Sequence, residues 1–157
     1  MKNELKQELT RRLCACNNGG LVLVMYDIYF GFSEDVKAAL ASNDRAALKK
    51  AVSDVQAALD ELIGALDFKY PLAGQLYPLY SYCKRLFSTV LYSLDVSVVN
   101  EADSIMKKLR ISFETAAADD KSAPLMDNAQ KVYAGMTYGR GRLTESFIND
   151  DNRGFLA

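Results

Sequence analysis

The sequence predicts an all-α protein: an antiparallel up-down four-helix bundle with a short N-terminal helix and an irregular C-terminal tail. Three observations lead there. From Leu48 the apolar residues Val52, Val55, Leu59, Leu62 and Leu66 follow at steps of 4, 3, 4, 3 and 4, a helical seam that no strand can produce. Three further segments carry a similar period, and the links between them, near 42–44, 67–71 and 94–97, are short enough to favour antiparallel neighbours. Finally, 157 residues, half of them hydrophobic and a quarter charged, suit one domain able to bury a real core.

Residues 1–18 read as an N-terminal amphipathic segment. Leu5, Leu9 and Leu13 share one face of a helix over 3–16, which the run Asn17-Asn18-Gly19-Gly20 ends. Residues 19–118 are the bundle. Its first helix, from about Gly20 to Ser42, puts Leu21, Met25, Ile28, Phe32, Val36 and Ala39 on one face, while Leu23, Tyr26 and Phe30 gather into a second apolar stripe opposite. That helix must bury two faces. Its second stripe has three candidate covers: an amphipathic helix from a partner, the N-terminal helix, or a second copy of the chain.

Asp44 is the expected N-cap of the next helix, and Asp67 with Tyr70-Pro71 ends it. In the following helix Leu72, Leu76, Leu79, Cys83, Leu86, Val90 and Leu94 are expected to face the core, and Pro78 either starts the main helix or kinks it, the register of Leu72 and Leu76 favouring a kink or broken turn. Asp95 caps the last helix, marked by Val98, Ala102, Ile105, Leu109 and Ala116, with Met106 and Phe113 beside the stripe. Residues 119–157 lose the period and carry Pro124, several glycines and many polar residues. They read as a loosely structured tail with one helical turn near Met126 to Tyr133.

Composition excludes several function classes. The chain has no histidine, which removes the usual general base and zinc ligand. Cys14, Cys16 and Cys83 make no disulfide framework, and the C-x-C at 14 and 16 lacks the further ligands of a zinc site. The pairs Asp119-Asp120 and Asp150-Asp151 lie in turn-like sequence and read as solvated charge. Gly139-Arg140-Gly141-Arg142 lacks the strand-to-helix setting of a phosphate loop. No catalytic residue, metal site or cofactor is therefore expected, and a net charge of −1 gives no reason to expect nucleic acid as a partner. Arg11-Arg12 ahead of LVLVMYDIYFGF resembles a twin-arginine export signal. However, Asp27 interrupts that run, Glu4 and Glu8 sit in the basic region, and 12 residues fall short of the ~20 a membrane span needs. No membrane insertion is expected, and the location read from the sequence is cytoplasmic.

Surfaces remain. With Leu76 set at 0°, Tyr80 falls at about 40° beside Phe87 and Leu91 at the core's edge, whereas Tyr77, Tyr82 and Tyr92 lie at about 100°, 240° and 160°. Arg85 falls at about 180°, placed to meet acids or carbonyls. A tyrosine ring with a water-tolerant hydroxyl suits a face that is covered only part of the time. The expected binding set is thus Leu23, Tyr26 and Phe30 as one groove, Tyr77, Tyr82, Arg85 and Tyr92 elsewhere, and Tyr80 with Phe87 supporting from the core's edge.

Three stretches resemble the flagellar export chaperones of the FliS type. Leu79-Tyr80-Ser81-Tyr82-Cys83-Lys84-Arg85 is similar to the family pattern L-Y-x-Y-x-x-R, and Asp95 follows at the next helix start. Leu23-Val24-Met25-Tyr26-Asp27 resembles the family's L-x-x-M-L-Y-D with one position shifted, and Ser42-Asn43-Asp44 its small residue before Asp. The likeness runs over about Gly20 to Ala118; Leu91 stands where the family usually has Asn, and MKNELKQELTRRL lacks the tyrosine that members carry in a partner-docking N-terminus. The resemblance implies a cytosolic, non-enzymatic helical chaperone for the C-terminal region of flagellin, with the flagellar export gate as a further partner. The rival expectation is a homodimer, a self-associating bundle joined through the second stripe.

Overall fold

A computed structural model describes residues 3–125, which form five helices and, among these residues, no strand. They are α1 (Asn3–Ala15), α2 (Asn18–Ala41), α3 (Arg45–Gly64), α4 (Pro71–Ser93) and α5 (Val96–Ala118). Helix α2 packs on α3 and α5, and α4 packs on the same two, which closes an antiparallel ring of four; α1 lies outside it, against α2. The all-helical bundle expected from the apolar period is the observed architecture. The turn expected near Met126 to Tyr133, Gly139 to Arg142 and Asp150-Asp151 lie outside the described residues.

The caps follow the sequence closely. Asp44 Oδ1 accepts from the backbone N–H of Ala46 and Ala47, each at 2.9 Å, and Asp95 Oδ1 accepts from Ser97 N–H at 2.8 Å. Each satisfies donors that the first helical turn leaves without intrahelical partners. Asn17 caps α2 through Gly20 N–H at 2.9 Å, and Asp120, just beyond α5, adds a bond from Gly19 N–H at 2.9 Å. The α5 end thus sits on the start of α2. Gly19 is required by that closeness, because a β-carbon there would lie 3.0 Å from both Ala117 Cβ and Asp120 Oδ2.

Helix α4 begins at Pro71, where a missing N–H costs nothing, and runs through Pro78 without a break in helical assignment. Pro78 therefore neither starts the helix nor interrupts it. It leaves the carbonyl of Gly74 without its donor, and both residues are exposed, so water can take the donor's place. The helix closes at Leu94 in the left-handed conformation, φ 53°. A leucine is unusual there, and the packing of its side chain against the core offsets the backbone cost.

On α3 the seam Leu48, Val52, Val55, Leu59 and Leu62 is buried as expected. Three faces are rotated from expectation. Helix α2 buries Val24, Tyr26, Tyr29 and Ser33 with Val36 and Ala39, while the expected Leu21, Met25, Ile28 and Phe32 are half-buried. The buried residues of α4 are Ala73, Leu76, Tyr80, Cys83, Phe87 and Val90, about 45° around the helix from the expected stripe. On α5 they are Val99, Ala102 and Met106, with Val98, Ile105 and Leu109 only half-buried. No helix among the described residues is long and apolar enough to cross a membrane.

Candidate functional site

The nine expected binding residues divide into core and surface. Tyr26, Tyr80 and Phe87 are core: they are 0 %, 1 % and 0 % exposed. The Tyr26 and Tyr80 hydroxyls lie 2.6 Å apart, so each gives the other a hydrogen-bond partner where water has no access. Burial raises the pKa of both phenols above the ordinary tyrosine value. Phe87 meets the edge of Tyr29 at 5.9 Å between centroids, and Tyr26 meets Phe113 at 5.6 Å. Tyr26 therefore does not share an open stripe with Leu23 and Phe30, and Tyr80 and Phe87 sit in the core rather than at its edge. The rotation has a polar cause as well. Turning Tyr29 and Ser33 inward brings their hydroxyls 3.0 and 2.7 Å from Asp103 of α5, and Lys37 completes that carboxylate's partners at 2.7 Å.

Leu23 and Phe30 are half-buried. Phe30, with Asp27, Gly31 and Glu34, lines a crevice of about 610 Å³ whose other wall is Leu5, Leu9 and Arg12 of α1. Helix α1 thus lies over part of the second face of α2. Its attachment is slight in apolar terms, since only Leu9 and Cys14 are buried. It is firmer in charge: Arg12 and Arg110 each approach Asp27 to 2.7 Å, tying α1 and α5 to one carboxylate of α2. On its other flank a hollow of about 670 Å³ opens between α2 and α3 beside Lys6, floored by Phe32, Ala39 and Ala51.

The exposed members of the set sit on α4. Tyr77 is 47 % and Tyr92 86 % exposed, Arg85 is exposed, and its guanidinium carbon stands 5.8 Å from the centre of the Tyr82 ring. Tyr82, half-buried, donates to Glu101 of α5, and that bond raises its pKa. The structure does not gather these four into one pocket.

A further surface was not anticipated. At the α3–α4 corner Phe68, Tyr70, Leu72 and Tyr77 are 63, 67, 53 and 47 % exposed, and the Phe68 and Tyr77 rings meet at 6.0 Å. The corner opens into an apolar basin of about 280 Å³ walled by Met25, Leu62, Leu66 and Leu76 and floored by Tyr80 and Phe113. The signal was present in Asp67-Phe68-Lys69-Tyr70-Pro71, a chain break with two aromatics, which read simply as a link. Exposed apolar groups in such a cluster mark an interaction surface more often than a scatter of single ones does. Among the described residues no group of three His, Cys, Asp or Glu could hold a metal ion. Cys83 is buried, its thiol pushed up to about 12 by desolvation and by the Asp103 charge.

These features define a helical bundle that, among the described residues, clusters exposed aromatic and apolar side chains at one corner, with others along α4 and singly on α1 and α5. The family model described as flagellar protein FliS matches residues 1–120, and the chain belongs to that family, which is one of flagellar export chaperones. No curated protein matches the sequence.

Proposed function

We propose that this protein is a cytosolic chaperone of flagellar type III export that holds the C-terminal helical region of flagellin, keeping the subunit from polymerising before it reaches the export gate. The observation that carries this reading is the exposed aromatic corner formed by Phe68, Tyr70, Leu72 and Tyr77 over the apolar basin, in a chain of the FliS family. A client helix laid there would seat one apolar anchor in the basin and cover the aromatic rim. Half-exposed side chains of this size each contribute ~1 kcal/mol or somewhat more when covered. Ordering a disordered client costs ~2 to 5 kcal/mol, so several anchors on different faces are needed for a hold that is firm and still reversible. Tyr77, Tyr82, Arg85 and Tyr92 on α4 and Leu23 with Phe30 beside α1 supply those further faces on this reading.

Titration calorimetry and circular dichroism with a synthetic flagellin C-terminal peptide test the proposal. Binding with a gain in helicity, weakened by Tyr70→Asp or Leu72→Asp, supports it. No binding, or binding with no gain in helicity, sinks it. Light scattering over a dilution series addresses self-association: a stable dimer broken by the same substitutions would assign the corner to a second copy of the chain.

A further inference from the structure

The exposed corner is held more by itself than by the bundle. It spans residues 65–77, the link after α3 and the first turns of α4. Within that span only Ala73 and Leu76 are buried, and Leu66 is half-buried. Among the described residues none of its side chains hydrogen-bonds or ion-pairs with another helix. From Tyr80 onward α4 is tied to each neighbour, by Tyr80 to Tyr26 of α2, by Lys84 to Asp60 of α3 and by Tyr82 to Glu101 of α5. The helix starts show the same contrast. Asn17, Asp44 and Asp95 cap α2, α3 and α5 with a side-chain oxygen, whereas Tyr70 gives α4 none.

Internally the corner is braced. Asp67 accepts the N–H of Lys69 on its carboxylate and that of Tyr70 on its carbonyl, each at 3.0 Å, which folds the link into a turn. Phe68 of the link packs its ring against that of Tyr77 on α4, so the two halves are joined across the turn. The backbone at both ends is weak. Gly64 ends α3 and Gly74 lies in α4, and a β-carbon at either would meet nothing within 4 Å, so packing requires neither glycine. Glycine holds a helix poorly because it has the most backbone freedom to lose. Pro78 then leaves the Gly74 carbonyl without its helical donor, the kind of gap at which helices bend.

The segment also forms part of the basin. Tyr70, Leu72, Ala73 and Leu76 line it together with Met25 of α2 and Leu62 of α3, over Tyr80 and Phe113. Its position therefore sets the basin's width. We infer that residues 65–77 are a flap, hinged at Gly64 and at Pro78, that swings as a unit to widen the corner basin for a guest side chain and returns to the position in the structure when the basin is empty. A segment that is braced within, loosely held without and weak at both ends has the construction of a hinged element. The inference deepens the chaperone reading by naming how its basin is gated, and it rests on that reading only for the identity of the guest.

The first test needs no guest. Nuclear magnetic relaxation dispersion on the full chain is expected to report one exchange process shared by the amides of 66–77 and by Met25 and Leu62 across the basin, and absent from 83–90 of α4. Gly74→Ala with Pro78→Ala restores the missing donor and should lower the open population at least threefold. Gln75→Gly, at an exposed position outside the basin lining, should raise it at least threefold. No exchange at 66–77, exchange without a common rate, or a population unmoved by the paired substitution overturns the inference. The second test is calorimetric titration with a flagellin C-terminal peptide. Because a guest that needs the open form binds only that fraction, the paired substitution should weaken the peptide at least threefold and Gln75→Gly should tighten it. Equal affinity in all three proteins overturns the gating role while leaving the chaperone reading intact. If the peptide fails on wild type, the chaperone reading fails and relaxation dispersion alone decides the flap.

Discussion

Replacing Tyr26 or Tyr80 by phenylalanine should destabilise the protein, and replacing both should restore much of the loss. The two hydroxyls are 2.6 Å apart, each is the other's hydrogen-bond partner, and the side chains are 0 and 1 % exposed. Removing one hydroxyl strands the other in an apolar site, at a cost of ~1 to 3 kcal/mol. Removing both strands nothing, and the two rings keep their packing against each other and Phe113, so the double variant should lie within ~1 kcal/mol of wild type. The coupling energy from the cycle should therefore be ~1 to 2 kcal/mol, far above the few tenths typical of independent sites. Urea denaturation followed by circular dichroism gives all four stabilities, and each single variant should also melt several degrees lower, at roughly 2 to 5 °C per kcal/mol for a chain of this size. Additive losses, with the double variant as weak as the two singles summed, would refute the pairing. Tyr26 does not line the corner basin, so Tyr26→Phe should bind a flagellin peptide with affinity within about twofold of wild type.

Pro78→Ala should stabilise the protein by ~1 to 2 kcal/mol, because it returns a donor to the Gly74 carbonyl inside α4, less the gain in unfolded-chain freedom; a lower urea midpoint would contradict the continuous helix. Asp27→Asn removes the carboxylate shared by Arg12 and Arg110, so stability should drop by ~1 to 3 kcal/mol and limited proteolysis should cut within α1 before the rest of the bundle. Stability should also fall in alkali. Burial raises the pKa of Tyr26, Tyr29, Tyr80 and Cys83, the last up to about 12, so above pH ~9 the unfolded chain ionises groups that the fold keeps neutral. The urea midpoint should be level up to about pH 9 and decline towards pH 12.

The bundle was legible because it rests on period and on local chemistry. The α3 seam and the caps at Asp44 and Asp95 need only neighbours in sequence, and they appear where the sequence puts them. The facing of α2 and α4 was not legible, because it depends on partners far away in the chain. A tyrosine belongs outside unless its hydroxyl finds a mate, and Tyr26 finds Tyr80 54 residues on, while Tyr29 finds Asp103 74 residues on. The candidate site divided along the same line. Tyr77, Arg85 and Tyr92 stayed on the surface, whereas Tyr26, Tyr80 and Phe87 went inside once those pairs formed. The corner at Phe68 and Tyr70 escaped notice because hydrophobic period has no meaning in a link.

The stripe that the sequence suggested for α4 was in fact two interleaved seams. Leu76, Cys83 and Val90 belong to the buried one, Leu72 and Leu79 to the outer one, and Leu86 lies half-buried between solvent and core. Hydropathy cannot separate them, since the exposed seam is the richer in leucine. Volume can: the space between four helices here is filled by Tyr26, Tyr29, Tyr80 and Phe87, and once these rings occupy the centre, the leucines one residue earlier on α4 turn outward.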